Sequence, residues 1–456
     1  MREKGKGNIE KLIVKSEKLD MRKLQKMLLA ATVMLSAAVS TNAQTSAGDS
    51  VMTHAKGNRL SVGAYGEVAY SRHFYSDNIY RYSNPSKYKN DPSNGRFDIP
   101  HAVIYLGYDF GKGWTFGTEI EFEHTGTGSA IELETDEGGE YEHEVEKGGE
   151  VELEQLWIQK SFASWANLRM GHIIVPVGLN NAHHEPLNFF TVYRPEGENT
   201  ILPSTWHDTG VSFWGHYGDW RYELQVTAGL NALMFSRDNW VKNGVKSAFE
   251  FKPANKYGFS ARVDNYTIAG LRMAVSTYYG RAMHNTSPND MEGEGKTYDK
   301  VSGNVWIGSF DFTFNRYNWI VRGQADYGTL SDAADVSSAK SRQPKNSPYN
   351  TTPVGKAATA IGVEAGYDVF SQITKLHADN QKMYVFGRYE YYDSYIKESS
   401  QPSYDYTSRQ RLSFGVNYYP IPQIAIKAEY SNRIFKDQYN NEPSLNIGVA
   451  YEGFFR

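Results

Sequence analysis

Between His183 and Gly210 the chain reads HHEPLNFFTVYRPEGENTILPSTWHDTG, which places His183, His184 and His207 near Glu185, Glu196, Glu198 and Asp208. Imidazoles and carboxylates at such density are the groups that ligate zinc or relay protons. The spacing argues against both. His183 and His184 are adjacent, so on an extended chain they point to opposite sides, and there is no HExxH motif or second cluster at a fixed spacing. The chain has no cysteine, which excludes disulfide scaffolds, thiolate zinc sites and cysteine nucleophiles. No serine, histidine and aspartate fall in an order that supports hydrolysis. The expectation is a protein with no catalytic residues, no metal and no cofactor.

The stretch has other work to do. Pro176, Pro186, Pro195 and Pro203, with Gly178 and Gly197, mark a loop of fixed turns rather than helix or strand. Leu187, Phe189, Phe190, Val192, Ile201, Leu202 and Trp206 make it too apolar to sit in water. Such a loop packs on a nearby surface, so the elements around it decide its role.

Those elements alternate. Tyr 33, Phe 22 and Trp 9 make the chain 14% aromatic, yet it is polar overall, as suits strands with one apolar and one polar face. In WIVRGQADY, Trp319, Val321, Ala325 and Tyr327 oppose Arg322, Gln324 and Asp326. RLSFGVNYY, IAIKAEYS and WTFGTEIEFE repeat the pattern. Sixteen such segments lie near 60–71, 98–110, 114–124, 150–163, 166–173, 207–217, 220–230, 257–266, 269–281, 303–316, 319–329, 356–369, 383–396, 407–419, 424–432 and 443–455. The connections are alternately short and long. The long ones are 72–97, 125–149, 174–206, 231–256, 282–302, 330–355, 397–406 and 433–442. An even strand count, aromatic ends on apolar faces, short turns at one end and long polar loops at the other imply a transmembrane antiparallel β-barrel of about 16 strands, with periplasmic turns and extracellular loops. A barrel of about 16–18 strands leaves an aqueous lumen unless something fills it. An apolar third loop, 174–206, folded inward would narrow it.

The N-terminus carries an export signal. Residues 21–26 are a basic n-region, Met27–Val39 an apolar h-region too short for a membrane span, and Thr41-Asn42-Ala43 a small-residue cleavage site. Residues 1–20 read as an over-extended start, 21–43 as the signal peptide, 44–58 as a periplasmic segment and 59–456 as the barrel. Without residues 1–43 the chain keeps 39 Lys+Arg against 48 Asp+Glu, a net of −9, which is not the balance of a nucleic-acid binder. These features place it in the outer membrane of a Gram-negative bacterium, among outer-membrane lipids. The last strand, SLNIGVAYEGFFR, offers Phe455 as a signal to the barrel assembly machinery, with Arg456 following it.

The run from Arg169 to Gly210 resembles the phosphate-selective porin O and P-like family, and more closely its relatives in the Bacteroidota. Arg169, Gly171, Pro176, Gly178, Glu185, Pro186, Phe189, Arg194, Pro195, Glu196, Pro203, Thr205, Trp206 and Gly210 carry the match. The resemblance implies a sixteen-stranded porin, often a homotrimer, passing small hydrophilic solutes. It also implies preference for phosphate or other anions through lumen arginines and a constricting third loop.

With polar faces turned inward, Arg169, Arg221, Arg262, Arg272, Arg322, Arg388, Arg411 and Lys427 line the lumen, and planar guanidinium groups suit phosphate. Glu119, Glu121, Glu123, Glu223, Asp264, Asp326, Glu390 and Glu429 share those faces, so the counts balance. Arg194, His183, His184, Glu185 and Glu196 are the candidates in the constriction loop, with Arg194 and Arg169 foremost because both border it. The acidic stretch Glu132–Lys147 lacks calcium-loop spacing and reads as a solvated external loop. The reading is a porin for passive diffusion; its rival is a surface receptor that binds through long loops.

Overall fold

The computed structural model describes residues 59–127, 129–134, 142–147, 149–203, 205–247, 251–285, 300–345 and 347–454. The leader, the segment before residue 59 and the Phe455 assembly signal lie outside them.

The wall is built from β1 (Leu60–His73), β2 (Asn94–Asp98), β3 (His101–Gly111), β4 (Trp114–Glu123), β7 (Glu150–Ala163), β8 (Ala166–Ile174), β9 (His207–Tyr217), β10 (Trp220–Ala228), β11 (Tyr257–Asn265), β12 (Leu271–Arg281), β13 (Asn304–Arg316), β14 (Trp319–Leu330), β15 (Ala357–Asp368), β16 (Lys382–Ile396), β17 (Ser408–Ile421), β18 (Ile424–Ile434) and β19 (Glu442–Phe454). Each strand pairs antiparallel with its neighbour, and β1 closes on β19 from Gly63↔Phe454 to His73↔Ser444. Both β2 and β3 pair with β1, at its outer and inner halves. They are one wall strand interrupted at Pro100, which has no N–H to give the ladder. The result is a closed barrel of sixteen wall strands, with no sheet edge left open to lipid. β5 (Ser129–Glu134) and β6 (Glu142–Lys147) form a separate hairpin in the second long loop.

The faces are inside-out relative to a water-soluble protein. Val68, Leu224, Phe259, Val275, Val385, Phe414 and Val449 are exposed around the outer wall, while the alternate polar residues are buried. Phe110, Trp114, Phe162, Trp165, Tyr217, Trp220, Tyr317 and Trp319 are exposed beside the short turns, where an aromatic girdle meets the membrane interface. The turns match the strand twist. Tyr317 and Asn318 both take positive φ, 55° and 64°, in the two-residue turn between the paired residues Arg316 and Trp319.

The described residues of the long loops 174–206, 229–256 and 331–356 fold into the lumen. Their Val175, Trp206, Leu230, Phe235, Trp240, Val336 and Val354 pack with inward Tyr278, Val305, Ile307 and Ala360 in an apolar core inside the barrel. Loop 174–206 is not wholly irregular, as its prolines and glycines suggested. It contains short helices Leu179–Ala182 and Glu196–Ile201 and a 3-10 turn Pro186–Asn188. Pro195 precedes the second helix, and Glu196 and Glu198 in its first turn favour the helix N-terminus.

Candidate lumen constriction and outer vestibule

Loop 174–206 crosses the lumen from β8 to the wall formed by β15–β18, and inward side chains of the wall hold its backbone. Lys427 Nζ donates to the carbonyls of Pro186 at 2.6 Å, Phe189 at 3.0 Å and Thr191 at 2.9 Å. Arg262 donates to the Gly178 carbonyl at 3.0 Å. The amides of Val192 and Gly197 donate to Glu429 at 3.2 Å and Glu390 at 2.9 Å. Within the loop, Glu198 accepts the amides of Leu179, Asn180 and Asn181 at 3.1, 2.9 and 3.1 Å. Burial pushes the Glu198 carboxyl up to about 7, although those N–H groups pull it down.

The five residues singled out in the loop are all there, in different roles. Arg194 donates to the His184 carbonyl at 3.3 Å, Thr205 Oγ1 at 3.2 Å and Tyr65 OH at 3.5 Å, and lies 3.9 Å from Glu121. Glu185 accepts from Asn188 at 2.7 Å, and the His183 amide caps the turn at the Leu179 carbonyl. His184 faces Glu119 and Glu154 on the wall. Glu196 accepts from Arg411 and Arg433 at 2.7 Å each and from Tyr392 OH at 2.7 Å, with Arg409 3.9 Å away. Burial raises the Glu196 carboxyl, but Arg433, Arg411 and Arg409 outweigh it and hold it well below the usual carboxylate range.

The eight basic wall residues face inward and are buried, at 7% exposure or less. They do not form a free ladder. Arg262 and Arg272 bridge Asp264 and Asp311 at 2.8–3.0 Å. Arg221 pairs with Glu223 at 2.7 Å. Arg322 and Arg388 share Glu364 at 2.6 and 3.2 Å, and Arg388 reaches Glu390 at 3.1 Å. Arg411 joins Glu196 to Glu429. Arg169 stacks over Trp157, 4.6 Å from the ring centre, and donates to Gln159. The sequence reading missed Asp311, Glu364 and Glu154. Asp311 and Glu364 sit on inward faces that the same alternation could have found, as Asp311 does between Phe310 and Phe312, whereas Glu154 sits at a register shift where it and Gln155 are both buried.

At the long-loop end, two cavities of about 580 and 400 Å³ share Asp98, Tyr193, Arg194 and Asn199 as a common wall. The smaller is lined by Arg81, Arg96, Arg411 and Arg433 against Asp98, Glu196 and Glu442. Arg81, Arg96 and Arg433 belong to loop or strand-end positions that face counting left out. In the larger, Lys242 donates to Asn199, and burial pushes its amine down to about 8.

Fold and site together define an outer-membrane β-barrel whose lumen is narrowed by inward loops beneath a polar vestibule. No family model matches the chain. An uncharacterized protein of Aquifex aeolicus is 28% identical over 388 residues, covering 84% of this chain and 78% of that one. Among solved structures, the anion-selective porin from Comamonas acidovorans gives a TM-score of 0.49 at 9% identity, covering 86% of this chain and 100% of that one. The outer membrane channel DcaP of Acinetobacter baumannii gives 0.47 at 11% identity, covering 86% and 97%. OmpT of Vibrio cholerae in trimer form gives 0.46 at 12% identity, covering 87% and 100%. The assignment of fold rests on the strand pairing itself.

Proposed function

We propose that this protein is an outer-membrane porin that admits small hydrophilic solutes by passive diffusion, and that loop 174–206 sets the constriction. The observation that carries this is the arrangement of faces. A closed barrel with an apolar exterior keeps its polar side chains inward, with a loop seated across the lumen below an open polar vestibule. A preference for anions, phosphate among them, belongs to the same reading. It is supported by Arg81, Arg96, Arg194, Arg411 and Arg433 in the smaller cavity, where five guanidinium groups face three carboxylates. The homotrimer of the resembling family is part of it. The test is reversal potential in a planar bilayer under a potassium chloride gradient, with protein purified from outer membranes, repeated with added phosphate. The expected result is a chloride-favouring potential and a current that phosphate reduces. A cation-favouring potential removes the anion preference and leaves a general porin.

A second reading has its own observation. The wall arginines are buried against acids and loop backbone, so the lumen is filled at their height. A barrel closed there would act as a surface binding protein, and the absence of stable channels would establish that reading over the first.

A further inference from the structure

The loop also brings together three ligand groups from separate parts of the chain. Glu119 on β4, Glu154 on β7 and His184 on the loop place one ligand atom each within 4.8 Å of one another. All three are buried, at 0%, 0% and 1% exposure. We propose that they form a binding site for one divalent transition-metal cation of the zinc type, which ties the third loop to the barrel wall.

The geometry favours a cation over a hydrogen bond. His184 Nε2 lies 3.4 Å from Glu119 Oε1 and 3.9 Å from Glu154 Oε2. A charge-assisted N–H···O bond runs near 2.7–2.9 Å, so both separations are long for one. Ligand atoms about 2.1 Å from a tetrahedral metal lie roughly 3.4 Å apart; the His184–Glu119 separation matches this, and the Glu154 oxygen, at 3.9 Å from His184, would close by a few tenths of an ångström on binding. The tautomer agrees. His184 Nδ1 lies 3.2 Å from the Asn181 carbonyl, its natural acceptor, so in the neutral ring the Nε2 lone pair faces the two carboxylates. A ligating histidine is held in this way by a carbonyl behind it. Asn181 is itself fixed by bonds to the Val175 carbonyl and the Trp206 amide, and Gln155 orients Glu119 by donating to its other oxygen.

Glu154 supplies the independent observation. Neither of its oxygens accepts a hydrogen bond from a described N–H or O–H group, although the side chain is fully buried. A buried carboxylate left so is costly unless a cation or a proton meets it. Glu121 is a carboxylate neighbour that could share a proton with it. A shared proton would satisfy Glu154, and His184 would then need a second proton to donate to Glu119 across 3.4 Å. A metal ion satisfies all three groups at once. Two carboxylates and one imidazole form a donor set for zinc, manganese or cobalt rather than for calcium or copper(I).

The test uses full-length protein purified from outer membranes, stripped with a chelator and given Zn²⁺ or Co²⁺ alone. The expected result is one Zn²⁺ retained per chain by elemental analysis, and a visible Co²⁺ d–d spectrum. Glu154→Gln and His184→Gln weaken binding by about tenfold or more, while Glu150→Gln, an exposed residue at the start of β7, leaves it unchanged. No retained Zn²⁺ and no Co²⁺ spectrum in the unaltered protein overturns the proposal, and a shared proton or an imidazolium then occupies the place. Equal retention in all the variants overturns it too. If the variants fail to fold, X-ray absorption on the Zn²⁺-loaded native protein decides: a shell containing one imidazole and carboxylate oxygens supports the site, and a shell of oxygen alone refutes it.

Discussion

At the scale of single residues, Glu196 holds the rim of the constriction together. Its carboxylate joins Arg411 on β17 to Arg433 on β18 and accepts Tyr392 OH on β16, so one side chain fastens the loop helix to three strands. Removing one partner of a buried ion pair is more damaging than losing the pair, because the remaining charges stay desolvated. Glu196→Gln is expected to cost about 2–3 kcal/mol, less than for a fully buried pair because its side chain keeps 15% exposure. The sign of its pH dependence follows. Its folded-state pKa lies below the ordinary value of 4.5, so its stabilisation is present above that value and is lost as pH falls below it. Thermal unfolding from pH 7 to pH 3 should show the native midpoint falling faster below pH 4.5 than that of Glu196→Gln. Parallel curves would mean that the arginines are held by other groups. Period-2 alternation was enough to put Arg411 on the inward face. It could not name Glu196 as its partner, because that pairing depends on how far the loop reaches across the lumen. Arg433 lies beyond the alternating pattern, which ends near 432, while the strand continues to Ile434.

At the scale of elements, the strands were legible and the loops were not. A wall strand exposes one face to lipid and the other to the lumen, so its sequence carries the alternation directly. The segment Asn94–Asp98 carries too few apolar residues to show it. The sequence pattern puts its first four residues in loop 72–97, yet the segment pairs with β1 from Ala69 to His73. The helix Glu196–Ile201 is one turn and a half and sits between Pro195 and Pro203, where turn residues outweigh helical periodicity. The shape of the third loop depends on Gly178. Its φ of +90° is open to glycine and strained for other residues, and a Cβ there would run into the Glu198 carboxylate. Gly178→Ala therefore breaks the pocket in which Glu198 gathers the amides of residues 179–181. A cost of about 1–3 kcal/mol is expected from the backbone alone. The wall does not depend on this residue, so folded barrels should still form, as read by heat-modifiable migration on a gel. Single-channel conductance should rise as the loop loosens. Unchanged conductance in folded barrels would show that the loop does not set the constriction.

At the scale of the whole molecule, the barrel separates the charges that stabilise it from those that meet solute. Along the wall, Arg262 and Arg272 are matched by Asp264 and Asp311, and Arg322 and Arg388 by Glu364 and Glu390. Such a lattice is locally neutral, and its field fades over a few ångströms. This explains why counting eight bases against eight acids could not decide selectivity: the balance is local as well as global. At the mouth, Arg96 is exposed and donates to the His73 ring at 2.8 Å rather than to a carboxylate. A charge in that position acts on solute within a screening length of about 8 Å at physiological ionic strength. The two classes of arginine should therefore separate in one experiment. Arg96→Glu is expected to move the reversal potential toward cations while leaving the unfolding midpoint nearly unchanged. Arg272→Gln is expected to leave the reversal potential close to native but to lower the midpoint, because Asp311 then loses one of its two guanidinium partners in a buried site. A larger shift in potential from Arg272→Gln than from Arg96→Glu would place the selecting field within the wall, and the lumen-lining bases expected from the sequence would be the working filter.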